Sequence, residues 1–297
     1  CLTAADEDPT KTQEEKLATW RYTALGGFYW AGAYLQENAL VIGTDDGMSG
    51  YTAGHANLLS LDPVQGSVKS CVAMPFAGDL RSSVTYYEGS CYFTSKGGYF
   101  CKITLNDDGT LQEGSLRTLQ LSNYADDAAN PAMSTSTPTI YNGRAYVGVS
   151  GVSQFGAYSG HNITVIDLAI WDIAYRVRTQ GYPQTSALLT TAYEPDSSYV
   201  YVYFFDNYTP GKLRMLRDRP GQSAPELTVA ETDPNGQRYD TAYVLFTPDG
   251  AQAQYAICSP IADSYGTLYF KNDSGYLMAL SSTITKLEIT KQPEKVQ

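Results

Sequence analysis

No apolar run in this sequence reaches the roughly 20 residues that a membrane-spanning helix requires. Basic residues are outnumbered, 20 Lys and Arg against 31 Asp and Glu, and the net charge is -11. That balance excludes the basic footprint of a nucleic-acid binder and electrostatic attachment to anionic membranes; it keeps the chain soluble. Histidine is almost missing. His55 and His161 stand alone, too few for a zinc site of three or four histidines, and neither lies in a nucleophile motif. A Gly-x-Ser-x-Gly elbow, a Walker sequence and a Cys-x-x-Cys pair are all absent from the sequence. Trp is rare at 3 residues, against Tyr 25 and Phe 9.

What is present is a repeat. Residues 136–148 read S-T-P-T-I-Y-N-G-R-A-Y-V-G, two strands joined by Asn142-Gly143. Asn-Gly between apolar runs is a strong hairpin signal, because both residues tolerate positive φ. Residues 82–94 and 259–271 follow the same frame, with Gly seven places and Tyr ten places after the first Ser. Residues 31–43 fit it with Asn38 at the turn, and a looser copy starts at Ser186. The starts, 31, 82, 136, 186 and 259, lie 51, 54, 50 and 73 apart. Periods near 50 residues point to propeller blades.

Each hairpin leads into a third strand with alternating apolar residues, at 57–62, 99–105, 162–167, 212–216 and 276–280. A fourth strand follows, at 67–73, 115–121, 174–178, 226–230 and 285–290. Four antiparallel strands per repeat is the β-propeller blade, so the fold class is all-β, with five full repeats and a partial blade at the N-terminus. The expected boundaries are a partial blade at 1–24, blades at 25–76, 77–122, 123–181, 182–258 and 259–290, and a linker at 291–297. In that partial blade, residues 16–22 take the place of a fourth strand. The long fourth interval holds an insertion near 235–253 that adds a strand or hairpin. The whole forms one propeller domain.

Five cysteines are an odd number: Cys1, Cys71, Cys91, Cys101 and Cys258. The last four sit in or beside strands, as small buried hydrophobes do. Cys91 and Cys101 flank the turn S-K-G-G, which leaves a cross-strand pairing open. The sequence does not start with Met, as expected of a processed piece. Cys1 before an acidic stretch also fits a lipoprotein anchor.

Several segments resemble the PQQ-like propeller repeats of the quinoprotein alcohol dehydrogenase-like superfamily. Residues 59–69, L-S-L-D-P-V-Q-G-S-V-K, are similar to that repeat's "A-x-D-x-x-x-G-K" strand and turn. Residues 272–280, N-D-S-G-Y-L-M-A-L, resemble its "s-x-d-G-x-l-x-A-L" run. Ser259-Pro-Ile-Ala-Asp and Ser136-Thr-Pro-Thr-Ile-Tyr-Asn-Gly resemble its opening. The resemblance spans residues 20 to 285. It implies the propeller fold and is nearly silent on function. The quinone-dependent enzymes set an adjacent Cys-Cys pair against the cofactor, hold Ca2+ with a carboxylate and an amide, and stack a Trp on the cofactor ring. This sequence has no adjacent cysteines, and nothing in it matches the other positions, so PQQ is not expected. The non-catalytic members that bind proteins are the better comparison, and the tail, read as running into a linker, looks like the exit of a multi-domain bacterial surface protein.

Candidate sites follow. The residues opening each first strand are small or hydroxylated: Ala31-Gly32, Ser82-Ser83, 134–137, Thr185-Ser186 and Ser259. They form either a ring of hydroxyls around an axial ligand or a set of side chains small enough for converging strands; the second is favoured. Both histidines precede a third strand after a long loop, where an imidazole bonds local backbone. Acidic turns at 45–47, 106–109 and 272–275 leave Ca2+ open, although Asx-Gly turns ordinarily close hairpins; no cofactor is predicted. The best lead is an aromatic set in loops: Phe28, Tyr29, Trp30, Tyr51, Phe155, Tyr158, Tyr182 and Tyr208. Trp30, Tyr51, His55, Tyr158, His161 and Tyr182 are the candidate ligand contacts. The expected function is a non-catalytic interaction module of a secreted or cell-surface bacterial protein, binding a protein or glycan through loops on one propeller face, beside other domains of its parent chain. The alternative is a divergent enzyme, a quinone-dependent dehydrogenase or glycan-active hydrolase or lyase, with its site at the channel mouth.

Overall fold

The computed structural model describes residues 10, 12, 19–47, 54–121, 133–192 and 198–281. These residues form five antiparallel sheets, and their one helical turn is a 3-10 turn at Gly250–Gln252. Among them no helix is long and apolar enough to cross a membrane. The first sheet is β1 (Tyr34–Gln36), β2 (Ala39–Gly43), β3 (Asn57–Leu61) and β4 (Val68–Ala73). The second is β5 (Thr85–Tyr87), β6 (Ser90–Thr94), β7 (Tyr99–Leu105) and β8 (Leu111–Gln120). The third is β9 (Thr139–Tyr141), β10 (Arg144–Val149), β11 (Asn162–Asp167) and β12 (Asp172–Arg178). The fourth is β13 (Leu188–Thr190), β14 (Val200–Phe205), β15 (Leu213–Asp218), β16 (Thr228–Thr232) and β17 (Arg238–Phe246). The fifth is β18 (Ile261–Ala262), β19 (Leu268–Lys271) and β20 (Leu277–Leu280). Each meanders in sequence order except the fourth. The chain is an all-β array of propeller blades.

The hairpins form for the reason their sequences indicate. Asn142 and Gly143 adopt φ of 48° and 75°, and Glu88 and Gly89 adopt 46° and 77°, the left-handed pair of a type I′ turn. The turn sets the register Arg144↔Tyr141, Ala145↔Ile140 and Tyr146↔Thr139.

The chain divides into two compact units, residues 1–118 and 119–297. In the first, an apolar layer lies between the first two sheets, with Val41, Leu58 and Val72 against Phe93, Cys101 and Ile103. In the second, β14 serves two such layers, because successive strand residues point to opposite faces. Val200, Val202 and Phe204 pack with Tyr146, Val165 and Val177 of the third sheet. Tyr203 and Phe205 pack with Leu268, Phe270 and Met278 of the fifth.

Repeat-spaced contacts join neighbouring blades. The Gly32 N–H donates to Ser83 Oγ at 3.1 Å, and the Ser186 N–H to Ser259 Oγ at 3.0 Å. Ser136 Oγ donates to the Thr185 carbonyl at 3.0 Å, and Thr139 Oγ1 to the Ala187 carbonyl at 2.9 Å. Ser83, Ser136 and Ser259 therefore bond backbone of the adjacent repeat, whereas Ser82 and Ser134 donate to the Thr94 and Gly148 carbonyls of their own. The last residue of the thirteen-residue frame is crowded the same way. A Cβ on Gly148 would lie 1.5 Å from the Pro183 carbonyl oxygen, and one on Gly43 would lie 2.5 Å from Leu80 Cβ.

Three expectations need correction. The expected fourth strand at 226–230 lies at the outer edge of its sheet, as β16. The insertion supplies β17, which pairs with both β15 and β16, giving the order β13-β14-β15-β17-β16. The tight turn at 233–236 folds β17 back between its neighbours, while only Arg217 of β15 bridges to Glu226. Residues 19–22 of the expected partial blade form no strand; Trp20 Nε1 instead donates to the Pro63 carbonyl at 3.1 Å, and its ring lies over Gly66. The rest of residues 1–18 except 10 and 12, the expected strand at 285–290 and the linker lie outside the described residues. Cys91 and Cys101 do not face each other, since Cys91 pairs with Ile103 and Cys101 with Phe93. Both are free and buried, and burial pushes Cys91 up to about 12 and Cys101 well above its ordinary value. They are small core residues rather than nucleophiles.

Candidate functional site

The candidate residues fall into two regions. In the first unit, the loop before β1 exposes Tyr29 and Trp30, the latter 67% exposed with φ of 55°. The Arg81 guanidinium lies 4.8 Å from the Tyr29 ring centre and 5.3 Å from that of Trp30. Asp45 grips Arg81 through two hydrogen bonds of 3.0 and 2.6 Å, and Asp79 adds an ion pair at 3.2 Å. The aromatic ledge thus sits on a fixed cation. His55 is exposed, and its Nδ1 donates to the Met74 carbonyl at 2.6 Å. Tyr51 lies outside the described residues.

In the second unit, a cleft of about 550 Å³ opens between the β10–β11 loop, strand β12 and the β16–β17 turn. Tyr158 and His161, 3 positions apart in the loop, line it together with Asn162, Arg176, Arg178 and Gln237.

His161 organises the loop from inside. It is 1% exposed. The Gly151 N–H donates to its Nδ1 at 3.0 Å, so Nε2 carries the proton and donates to the Gly156 carbonyl at 2.7 Å. Ser159 Oγ lies 2.9 Å from the same Nε2. Burial lowers the imidazole below its ordinary value, against the Gly156 carbonyl, which favours the cation. Protonation would also leave the Gly151 N–H facing a second donor. Tyr182, expected in a loop, is fully buried and stacks on the His161 ring at 6.1 Å. Its hydroxyl accepts from the Thr135 N–H at 2.7 Å. Burial withdraws Tyr182 from any ligand; the ring fills the space under the loop.

The sign of the pH effect follows. An unfolded histidine titrates near 6.5, and His161 in the fold titrates lower. Between those values the unfolded chain binds a proton that the folded chain does not. The stabilisation is therefore complete above about pH 6.5 and is lost as pH falls through the folded value, with a limiting slope of about 1.4 kcal/mol per pH unit. The unfolding free energy from urea titrations is expected to hold from pH 7.5 to about 6.5 and to fall below it, and His161→Gln to flatten that fall. A slope that survives His161→Gln would assign the effect elsewhere.

Tyr158 is half-buried at φ of 59°, with its N–H donating to the Gln180 carbonyl at 2.8 Å and its ring edge-on to Tyr239 at 6.2 Å. Arg176 and Arg178 alternate on β12, opposite Thr164 and Asn162. Arg178 pairs with Asp233 at 3.0 Å and lies 4.5 Å from the Tyr239 ring centre. Arg176 differs: its Nε is buried without a hydrogen-bond partner among the described residues. Burial lowers its pKa, and the charge of Asp172 opposes that. The two arginines and Gln237 escaped sequence reasoning, because charges on an outer strand ordinarily mark a solvated face. The one sequence signal was a pair of arginines two apart in an acidic chain.

The acidic turns act locally. Asp45 is held by Arg81, Asp108 Oδ1 accepts from the Thr110 N–H at 2.9 Å, and Asn272 Oδ1 from the Ser274 N–H at 3.1 Å. Among the described residues no three His, Cys, Asp or Glu side chains group as metal ligands.

No protein-family model matches the chain, and no curated protein matches it. Solved structures do. A europium-containing methanol dehydrogenase aligns at TM-score 0.56 and 10% identity, over 90% of this chain and 52% of that one. BamB from Moraxella catarrhalis aligns at TM-score 0.51 and 12% identity, over 93% of this chain and 81% of that one. The quinohemoprotein alcohol dehydrogenase of Comamonas testosteroni aligns at TM-score 0.50 and 11% identity, over 87% and 42%. The chain thus spans about half the length, or less, of the dehydrogenases it matches. The residues present do not fit a quinone held by adjacent cysteines. The described cysteines lie apart, on β4, β6 and β7 and before β18. By architecture the chain has the β-propeller fold of these solved structures, the fold that its resemblance to the PQQ-like repeats implied.

Proposed function

We propose that this chain is a non-catalytic binding module of a secreted or cell-surface protein, which takes a compact ligand in the cleft beside the β10–β11 loop. The observation that carries this reading is the division of labour around the cleft. The groups suited to catalysis are engaged elsewhere: His161 with loop backbone, and the strand-opening serines with backbone of their own or the neighbouring repeat. The groups that line the opening, Tyr158, Arg176 and Gln237, have binding chemistry: an aromatic face, a guanidinium and an amide. The ledge of Tyr29 and Trp30 offers a second, separate contact region in the first unit.

A glycan array with isothermal titration of its hits tests the reading. Tyr158→Ala is expected to weaken binding about tenfold, the loss of one buried aromatic contact, with far-UV circular dichroism unchanged. Turnover of a glycan or alcohol substrate by the purified chain, without a ligand on the array, would replace this reading with an enzymatic one.

A further inference from the structure

We propose that the cleft recognises a carboxylate-bearing sugar, such as a hexuronic acid, with Arg176 taking the carboxylate. This rests on reading the cleft as the binding site. The argument starts from charge. Arg178 is neutralised by Asp233 and held against Tyr239, so it acts as a fixed wall. Arg176 is the cleft cation whose Nε–H is withdrawn from water with no acceptor among the described residues. That Nε–H is closed to the cleft as it is to water, so a carboxylate meets the guanidinium end-on through its Nη–H groups, as a charge-assisted pair.

The valence of the ligand follows from what surrounds that cation. With Arg178 and Asp233 cancelling, and the charge of Asp172 partly offsetting Arg176, the cleft suits no more than a monoanion.

The lining selects a ring over a peptide. About 550 Å³ lies within the range of roughly 300–1,000 Å³ common for compact ligands. The Tyr158 ring is set by its backbone bond to Gln180 and its edge contact with Tyr239. It is a fixed platform for the C–H face of a sugar. The Gln237 amide at the rim, and the Asn162 N–H not used by the Gly160 carbonyl, are placed to meet hydroxyls. A rigid ring loses little freedom on such a surface, whereas a flexible acidic peptide must be ordered.

The test is calorimetric titration of the full chain with methyl β-D-glucuronide, the matched uncharged methyl β-D-glucoside and tetraglutamate. The glucuronide is expected to bind at least about tenfold more tightly than the glucoside, and Arg176→Gln to remove that preference, in keeping with a charge-assisted pair. Gln237→Ala, at an exposed rim position, is expected to weaken both sugars alike. Equal binding of the two sugars, with dependence on Tyr158, would overturn the carboxylate assignment and leave the module reading in place. A glucuronide preference unchanged in Arg176→Gln would overturn the assignment to Arg176. Tighter binding of tetraglutamate than of the glucuronide would make the ligand a protein and overturn the proposal. No binding of either sugar and no array hit would remove both readings.

Discussion

Replacing Asp218 by alanine is expected to cost about 3–5 kcal/mol of unfolding free energy, the range for breaking a buried ion pair from one side. Asp218 is fully buried at the end of β15. Tyr146 and Tyr175 of the third sheet each donate a hydroxyl hydrogen bond of 2.7 Å to its carboxylate. Arg144, 2% exposed, places Nη1 at 3.7 Å from it, and Arg144 Nη2 donates to the Gln222 carbonyl at 2.7 Å. Burial alone raises the Asp218 pKa, and the bonds from Tyr175 and Tyr146 and the Arg144 charge oppose it. Alanine would leave a buried guanidinium without its counter-ion and two hydroxyls without an acceptor. The double replacement Arg144→Met with Asp218→Leu is expected to lose much less, because apolar groups of similar volume need no partners. Urea titration at pH 7 decides. A loss below about 1 kcal/mol for Asp218→Ala would show that the cluster adds little to the join between the two sheets.

Gly148→Val is expected to be nearly as damaging, about 3 kcal/mol or more, through overpacking. The added Cβ would fall 1.5 Å from the Pro183 carbonyl oxygen and 2.6 Å from its carbonyl carbon, both backbone atoms. The segment at 183–187 would have to move, and with it the bonds from Ser136 and Thr139 to the Thr185 and Ala187 carbonyls. Gly143→Ala is the matched control. Gly143 has φ of 75° and nothing within 4 Å of the Cβ site, so only backbone strain of about 1–2 kcal/mol applies. Thermal melts of the two variants should separate widely. Equal melting points would mean that the blades do not approach as closely as Gly148 and Pro183 do here.

The same glycine marks how far the sequence could be followed. The frame ending in Gly148 and Gly43 was legible as a repeat, but its reason was not. Nothing local says that a Cβ at the end of a second strand meets the chain entering the next repeat, about 35–40 residues on. The strand-opening hydroxyls were legible as small residues at a crowded place, and their bonding partners were not. The aromatic set divided in a way composition could not foresee: Trp30 is 67% exposed and Tyr182 is 0% exposed, although both were read as loop residues. Of the candidate contacts, Tyr158 and His161 meet at one cleft, with His161 as its internal support.

By itself the sequence determined the all-β class, the hairpin turns, the third strands and the repeat of about 50 residues. Those depend on two-residue alternation and on turn residues whose φ preferences act within a few positions. Tertiary structure decided the place of β17 inside the fourth sheet, the burial of Tyr182, and the meeting of Arg176 with Tyr158 and Gln237. Burial and encounter depend on which sheet covers which. That is set by contacts between residues tens of positions apart, where a local pattern carries no information.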